Sequence, residues 1–178
     1  MKKLLLITSL LSAALFAAFD ASAVTAGIYG NNTVKLVEQS AIAVPVTGTT
    51  AETTVSQLNI PGNSMYINGS MRIKLFVSNT NSANNKTIKI KLAGNILMNN
   101  IVTTTNSAVY EVTVYNRGAI NNQIAAPATS NISFGTGGAF STSAVDMSKD
   151  QALTVTCQLA LSTETCQLEA VTVEILNP

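Results

Sequence analysis

The sequence predicts an all-β protein, an antiparallel β-sandwich of jelly-roll type with about seven to nine short strands. Only 11% of the residues are charged, against roughly 25% in an average globular domain, and Asn, Thr and Ser occupy the polar positions instead. These residues favour strands and turns and are weak helix formers. Short segments of alternating apolar and polar residues follow one another, separated by turn-forming Gly, Pro and Asn. Beyond the N-terminal segment no run keeps helical periodicity over three turns, so β structure is the prediction.

The clearest strands are two alternating runs at residues 71–77 and 88–92, separated by a short Asn-rich loop. Such an arrangement is typical of a β-hairpin. The runs 153–161 and 166–176 predict a second hairpin. In its last strand the large apolar residues change parity near Ala170, which indicates either a β-bulge or a stretch buried on both faces. Shorter or less regular runs predict further strands at residues 55–60, 96–102, 108–114 and 132–134.

The segment 1–23 has the three parts of a secretory signal peptide. A basic Met-Lys-Lys start and an apolar run over residues 4–19 precede an Ala-Ser-Ala site that ends at Ala23. We therefore expect an exported protein, secreted, periplasmic, on a surface or in a virion, with cleavage between Ala23 and Val24. Residues 24–178 then form a single β-sandwich domain with no stable membrane insertion. An uncleaved anchor is the alternative, although the apolar run is shorter than the roughly 20 residues that span a membrane.

Charge balance bears on the class of partner. Removal of Lys2, Lys3 and Asp20 with the signal segment leaves eight basic and eight acidic residues. A neutral chain lacks the basic footprint of nucleic-acid binding, so no nucleic-acid partner is predicted. Because little electrostatic repulsion keeps copies apart, the chain suits a homo-oligomer or contact with other structural proteins.

The two cysteines, Cys157 and Cys166, predict a disulfide across the last hairpin. Facing residues on antiparallel strands bring their Cβ atoms close enough for an S–S bond. Two buried free thiols are the alternative. A redox pair fits less well because the spacing is not C-x-x-C, and a metal site lacks further ligands.

Two surfaces follow from the predicted hairpin of residues 71–92. The outward positions of this hairpin place four basic residues on one face: Arg72, Lys74, Lys89 and Lys91. This face is either an ordinary solvated surface or a contact for an acidic partner. The loops 79–85 and 135–143, rich in Asn, Gly and Ser, can approach a partner without burying charge. We expect Asn81, Asn84 and Phe140 in these loops to contact neighbouring subunits.

Several chemistries lack their residues in this chain. It contains no His, which excludes Ser–His–Asp and Cys–His nucleophile activation and His-based zinc sites. It contains no Trp and only 5% aromatic residues, which disfavours a carbohydrate-binding platform. No pattern pairs two carboxylates as a glycosidase requires. We predict no enzymatic activity, no cofactor and no metal.

Three segments resemble phage structural proteins of the jelly-roll, tail- or capsid-associated type. Residues 64–95 combine an alternating strand, the Asn-rich loop SANNKT and a second strand that ends at Gly94. The segment AVYEVTVYNRGA and the C-terminal QALTVTCQLALSTETCQLEAVTVEILNP continue the pattern, so the resemblance covers about residues 60–178. It implies a β-sandwich subunit of a virion. A signal peptide and a disulfide depart from that pattern, which leaves room for a bacterial surface or secreted protein, or a virus that matures at a membrane.

These observations predict a non-enzymatic structural or assembly protein, exported, whose subunits form part of a virion, fibre or surface layer. The alternative is a secreted β-sandwich binding module or adhesin that recognises a cell-surface ligand.

Overall fold

The strands of the chain form two antiparallel sheets, and the chain passes repeatedly from one sheet to the other. The computed structural model describes residues 33–128 and 140–178, and this part of the chain contains eleven strands and no helix. The strands are β1 (Thr33–Ser40), β2 (Val44–Val46), β3 (Thr53–Ile60), β4 (Ser70–Asn79), β5 (Lys86–Leu92), β6 (Asn95–Val102), β7 (Ser107–Asn116), β8 (Gln123–Ala128), β9 (Ser141–Ser143), β10 (Gln151–Leu159) and β11 (Cys166–Asn177).

The strand order is that of a jelly roll. Sheet A has the order β1-β11-β4-β7-β8-β9, with β2 also paired to β11, and sheet B has the order β3-β10-β5-β6. The chain crosses between the sheets after β2, β3, β4, β6, β9 and β10, so most strands pair with partners distant in sequence. The all-β sandwich prediction is confirmed. The count of strands exceeds the predicted seven to nine because it includes β2 and β9, which have only three residues each, and β8, which was not predicted as a strand.

The predicted hairpin of residues 71–92 is wrong in its pairing, although both strands exist. Strand β4 pairs with β11 and β7 in sheet A, whereas β5 pairs with β10 and β6 in sheet B. The connection 80–85 has six residues, which spans roughly 20 Å when extended. It therefore crosses the roughly 10 Å between packed sheets and need not form a tight turn.

The actual hairpin of this region joins β5 to β6. Ala93 and Gly94 form its two-residue turn, with φ of 48° and 81°. A positive φ at both central positions is the requirement of a type I′ turn, which matches the right-handed twist of the paired strands. Gly94 meets this requirement without steric cost.

The second predicted hairpin is also wrong in its pairing, and here the correction changes the role of the disulfide. Strand β10 lies in sheet B and β11 lies in sheet A. The predicted bond between Cys157 and Cys166 is present, with a Cα–Cα distance of 6.5 Å, and it joins the two sheets through the core. The predicted bulge is confirmed, because the β4–β11 register shifts between Leu168 and Ala170.

The core lies between the two sheets, on the inward parity of each strand. In β4 the burial alternates, so that Ile73 and Leu75 are fully buried while Lys74 and Phe76 face outward. Other fully or almost fully buried side chains from both sheets complete the core: Met71, Ile88, Ile90, Leu92, Val112, Val114, Leu153, Val155, Val173 and Ile175.

A buried amide holds the far edge of sheet A in place. The Gln123 side chain has no exposed surface; its Nε2 donates to Asn116 Oδ1 at 2.9 Å and to the Val145 carbonyl at 3.1 Å. Its Oε1 accepts from Val145 N at 2.9 Å and Ser143 Oγ at 3.0 Å. Because buried polar groups are costly unless paired, this network fixes β8 and β9 beside β7.

Some predictions lie outside the described residues. These are the signal segment with its cleavage site between Ala23 and Val24, the strand at 132–134, and all of the loop 135–143 before Phe140.

Candidate binding face

The outer face of sheet A collects exposed apolar side chains. Val34, Leu36, Phe76, Val109 and Tyr115 are 61%, 52%, 41%, 53% and 48% exposed. They lie on β1, β4 and β7, on the parity that points away from the core. Phe76 and Val109 lie near one end of these strands and Val34, Leu36 and Tyr115 near the other, with charged side chains of β4, β7 and β11 between the two groups. We call this surface, defined by these five residues and the side chains between them, the apolar face.

Sheet B presents a different outer surface. Its outward positions carry polar or charged side chains, among them Thr87, Lys89, Lys91, Thr154, Thr156 and Gln158. Its exposed large apolar residues, Ile96 and Ile101, lie on the edge strand β6. The two outer faces of the sandwich therefore differ in chemistry, and exposed apolar surface rimmed by polar residues commonly marks an interaction site.

Register places two side chains of the apolar face, Phe76 and Val109, side by side. Phe76 of β4 is directly opposite Val109 of β7, and Lys74 is directly opposite Glu111. Directly paired residues on antiparallel strands share a face and lie about 4.5–5.5 Å apart at Cβ. Phe76 and Val109 thus form one apolar surface, with an opposite-charge pair in the next row.

Two grooves adjoin Phe76. The first has a volume of about 330 Å³ and is mainly polar, lined by Arg72, Lys74, Phe76, Glu111, Thr172 and Glu174. The second has a volume of about 300 Å³ and is mainly apolar, lined by Phe76, Val77, Ser107, Ala108, Val109 and Glu169. Phe76 lines both grooves and is therefore shared between them.

Only some of the charged side chains that line the polar groove form ion pairs. Arg72 Nε lies 3.3 Å from Glu174 Oε2 on the neighbouring strand β11. The Lys74 ammonium lies 5.3 Å from the centroid of the Phe76 ring, a cation–π contact. Among residues 33–128 and 140–178, neither Lys74 nor Glu111 forms an ion pair, although the two are cross-strand neighbours. Lys74 and Glu111 therefore remain available for charged contacts on the apolar face.

The four basic residues predicted on one face lie on opposite sides of the sandwich. Arg72 and Lys74 belong to β4 in sheet A, whereas Lys89 and Lys91 belong to β5 in sheet B. The prediction of one basic face is wrong because it assumed that β4 and β5 pair. Beside sheet B a single carboxylate, that of Glu52, binds both lysines. Lys89 Nζ lies 2.6 Å from Glu52 Oε2, and Lys91 Nζ donates to Glu52 Oε1.

The pKa of Glu52 follows from this arrangement. Hydrogen bonds from Lys89, then Lys91 and Thr156, lower its pKa from 4.5 to about 2. Because the folded-state pKa is depressed, Glu52 stabilises the fold above its ordinary pKa, and this contribution is lost as the pH falls from 4.5 towards 2.

Replacement Glu52→Gln is expected to lower the free energy of unfolding by about 1 kcal/mol at neutral pH, since partly exposed ion pairs contribute little each. The difference from wild type should disappear near the pKa of about 2. Urea unfolding across this pH range measures it, with Glu38→Gln as a control, because Glu38 has no ion pair among the described residues. A constant difference at all pH values would contradict this account.

Residues 80–85 belong to the loop 79–85 that was predicted to contact neighbouring subunits. They also donate and accept hydrogen bonds around a buried ion pair. Lys86 has no exposed surface; its Nζ donates to Ser82 Oγ and the Asn84 carbonyl, both at 2.8 Å, and lies 3.5 Å from Glu164 Oε2. Asn84 Nδ2 donates to Glu164 Oε1 at 2.8 Å. This hydrogen bond is the main cause that holds the pKa of Glu164 below its ordinary value.

The predicted contact residues therefore differ in what they do. Asn84 positions the buried Glu164, so its replacement would disturb the fold as well as any contact. Asn81 is exposed in the same loop, and Phe140 is 49% exposed just before β9 at the edge of sheet A. Contacts of Asn81 and Phe140 with other subunits remain a prediction.

The described part of the chain shows two further findings. Within it, no group of three or more His, Cys, Asp or Glu residues is placed to hold a metal ion. None of its segments forms a helix with the length and apolar character needed to cross a membrane.

No family model matches the chain, and no curated protein matches it. Among the solved structures that resemble its fold are three with 10% identity to it. The CBM2 module of the evolved Dit of Lactobacillus casei BL23 phage J-1 has a TM-score of 0.44 and covers 83% of this chain and 98% of its own. The CBM36-1 domain of a xylanase from the hindgut metagenome of Trinervitermes trinervoides has a TM-score of 0.41, with coverage of 80% and 96%. Infectious bursal disease virus, Gx strain, has a TM-score of 0.36, with coverage of 83% and 32%.

These likenesses are weak and concern the fold alone.

Proposed function

We propose that this chain is a non-enzymatic, exported structural or assembly protein, whose subunits form part of a virion, fibre or surface layer through contacts of the apolar face. The observation that supports this proposal is that five exposed large apolar residues share one outer sheet face and that two of them, Phe76 and Val109, are directly paired. Aromatic and aliphatic anchors within a polar surround are the usual composition of a protein-contact surface.

The disulfide supports export. Cys157 and Cys166 are 1% exposed each, and their bond is part of the core. Structural disulfides form and persist in oxidising compartments and are rare in the cytosol. The signal segment, which ends at Ala23, is the sequence feature that would deliver the chain there.

The absence of histidine from the chain supports a non-enzymatic role. Without an imidazole, hydrolysis would require a carboxylate or lysine base close to a nucleophile. The carboxylates with depressed pKa values hold other groups: Glu52 binds two lysines, Asp146 accepts from Ser148, and Asp150 accepts from Gly62 N at 2.8 Å. Their role is to fix loops and strands.

The polar groove of about 330 Å³ favours a second candidate, a secreted binding module for a cell-surface ligand. Its charged and hydroxyl side chains surround one aromatic ring, which suits a small polar ligand. Binding of a ligand by a monomeric mature protein, lost on Glu111→Ala, would favour this candidate over assembly.

The proposal is tested by a matched pair of variants in the native assembly. Val109 and Ile101 are β-branched, 53% and 56% exposed, and lie in sheets A and B respectively. Val109→Asp is expected to reduce incorporation into the assembled fraction of the native source by at least about tenfold, because a charge would be buried in the contact. Ile101→Asp should be incorporated as wild type is. Equal incorporation of V109D and wild type would contradict the proposal.

A further inference from the structure

We propose that the partner of the apolar face is a second copy of the same chain, related by a two-fold axis parallel to the strands and midway between β4 and β7. This inference rests on the proposed function and names the partner. In a two-fold contact the same patch serves both subunits, so residue i meets residue j and residue j meets residue i. The patch must then be complementary to itself.

The cross-strand register supplies that complementarity. An axis midway between β4 and β7 places β4 of one copy over β7 of the other, at the same height along the strands. Each residue then faces its own cross-strand neighbour in the second copy. Since Phe76 is opposite Val109 and Lys74 is opposite Glu111, Phe76 packs on Val109 of the second copy and Lys74 faces its Glu111, each pair occurring twice.

The charges distinguish this axis from its neighbour. An axis along β4 itself would place Lys74 over Lys74 of the second copy, a repulsive contact. The axis between β4 and β7 gives two opposite-charge contacts instead. Both groups are available for them, since Lys74 and Glu111 form no ion pair among the described residues. Electrostatic complementarity of this kind determines register and partner choice more than raw affinity.

The area of the face is sufficient for a specific contact. This axis places β11 and β4 of one copy over β8 and β7 of the other. These four strands, at roughly 4.8 Å each, and about eight residues at roughly 3.3 Å each, cover roughly 500 Å² per copy. The total of roughly 1,000 Å² is about the smallest area expected of a specific interface. Packing of two sheet faces with nearly aligned strands is also a common arrangement within β-sandwich proteins.

Charge reversal followed by mixing tests the identity of the partner. Lys74→Glu and Glu111→Lys, each alone, are expected to weaken self-association of the mature protein at least about tenfold, because each creates like-charge contacts across the axis. An equimolar mixture of K74E and E111K should restore association as a heterodimer, and the double variant K74E/E111K should restore it as a homodimer. Sedimentation velocity and native mass spectrometry measure both. Lys149→Glu is the control, since it makes the same charge change on a side chain 76% exposed in the loop before β10.

The outcomes separate this inference from the proposed function. If V109D abolishes incorporation into the native assembly but neither the mixture nor the double variant restores self-association, the partner is a different protein and the inference is wrong. Weakening by K149E equal to that by K74E would also overturn it, since a general charge effect would explain both. If V109D has no effect on incorporation, the proposed function fails as well.

Discussion

Replacement of Lys86 by Met is expected to lower the free energy of unfolding by about 3–5 kcal/mol. Lys86 is fully buried at the start of β5, and its ammonium is bound by Ser82 Oγ and the Asn84 carbonyl, both at 2.8 Å. Methionine fills a similar volume, so the loss comes mainly from the groups left behind. The Glu164 carboxylate would lose the opposite charge 3.5 Å away and stay buried.

Two further variants separate charge from packing at this site. Lys89→Met removes another lysine of β5, and the partner of that lysine, Glu52, is partly exposed. The change should therefore lower the free energy of unfolding by about 1 kcal/mol or less. In the double variant K86M/E164Q the uncompensated carboxylate is replaced by an amide, whose oxygen still accepts the hydrogen bond from Asn84. This variant should recover much of the stability lost in K86M. Urea unfolding at neutral pH measures all three. A cost for K86M no larger than that for K89M would contradict this role of the buried pair.

Removal of the disulfide by C157A/C166A is the second change with a large expected effect, a loss of about 2–5 kcal/mol. The nine-residue separation closes a short loop, so chain entropy accounts for about 2–3 kcal/mol. Both sulfur atoms also lie in the core, and truncation to alanine removes their packing. Because the bond joins β10 of sheet B to β11 of sheet A, its loss should loosen the contact between the sheets.

Wild-type protein unfolded, reduced and refolded in reductant provides the control, because it keeps both cysteines and lacks only the bond. It should lie between oxidised wild type and C157A/C166A in stability. Recovery of both cysteines as free thiols by peptide mapping of the native protein would show that the bond does not form.

Alternation along single strands was predictable, and pairing between strands was not. The period-two pattern of residues 71–77 and 88–92 correctly predicts β4 and β5 and their buried parity. It says nothing of the partner strand, since either sheet of a sandwich offers the same apolar interior. In a jelly roll β4 and β5 belong to different sheets, so the predicted hairpin conflicted with the predicted fold class.

The disulfide was predicted correctly, but from a hairpin in which its two strands pair, whereas in the structure they belong to different sheets. Cys157 and Cys166 each occupy the inward parity of their strand, and that parity was visible in the sequence. Inward-facing residues of opposite sheets approach across the core, as they do here. Paired positions of one hairpin would satisfy the same pattern, so the sequence could not distinguish the two arrangements.

The candidate site was partly visible in the sequence. Phe76 occupies an outward position in a run whose inward positions are Ile73, Leu75 and Val77, so its exposure follows from parity. Its proximity to Val109 depends on the β4–β7 register, which involves residues distant in sequence. Lys86 shares the inward parity of Ile88, a signal for a buried lysine, but its partner Glu164 comes close only through the loop before β11.

Sedimentation velocity of mature wild type, V109D and I101D at matched concentrations tests the central claim, that the apolar face carries the contact between subunits. Wild type and I101D are expected to sediment as the same oligomer, and V109D as a folded monomer, because only Val109 lies on the apolar face while Ile101 lies on β6 in sheet B. Sedimentation of V109D as the same oligomer as wild type, or loss of the oligomer in I101D to the same degree, would contradict the claim.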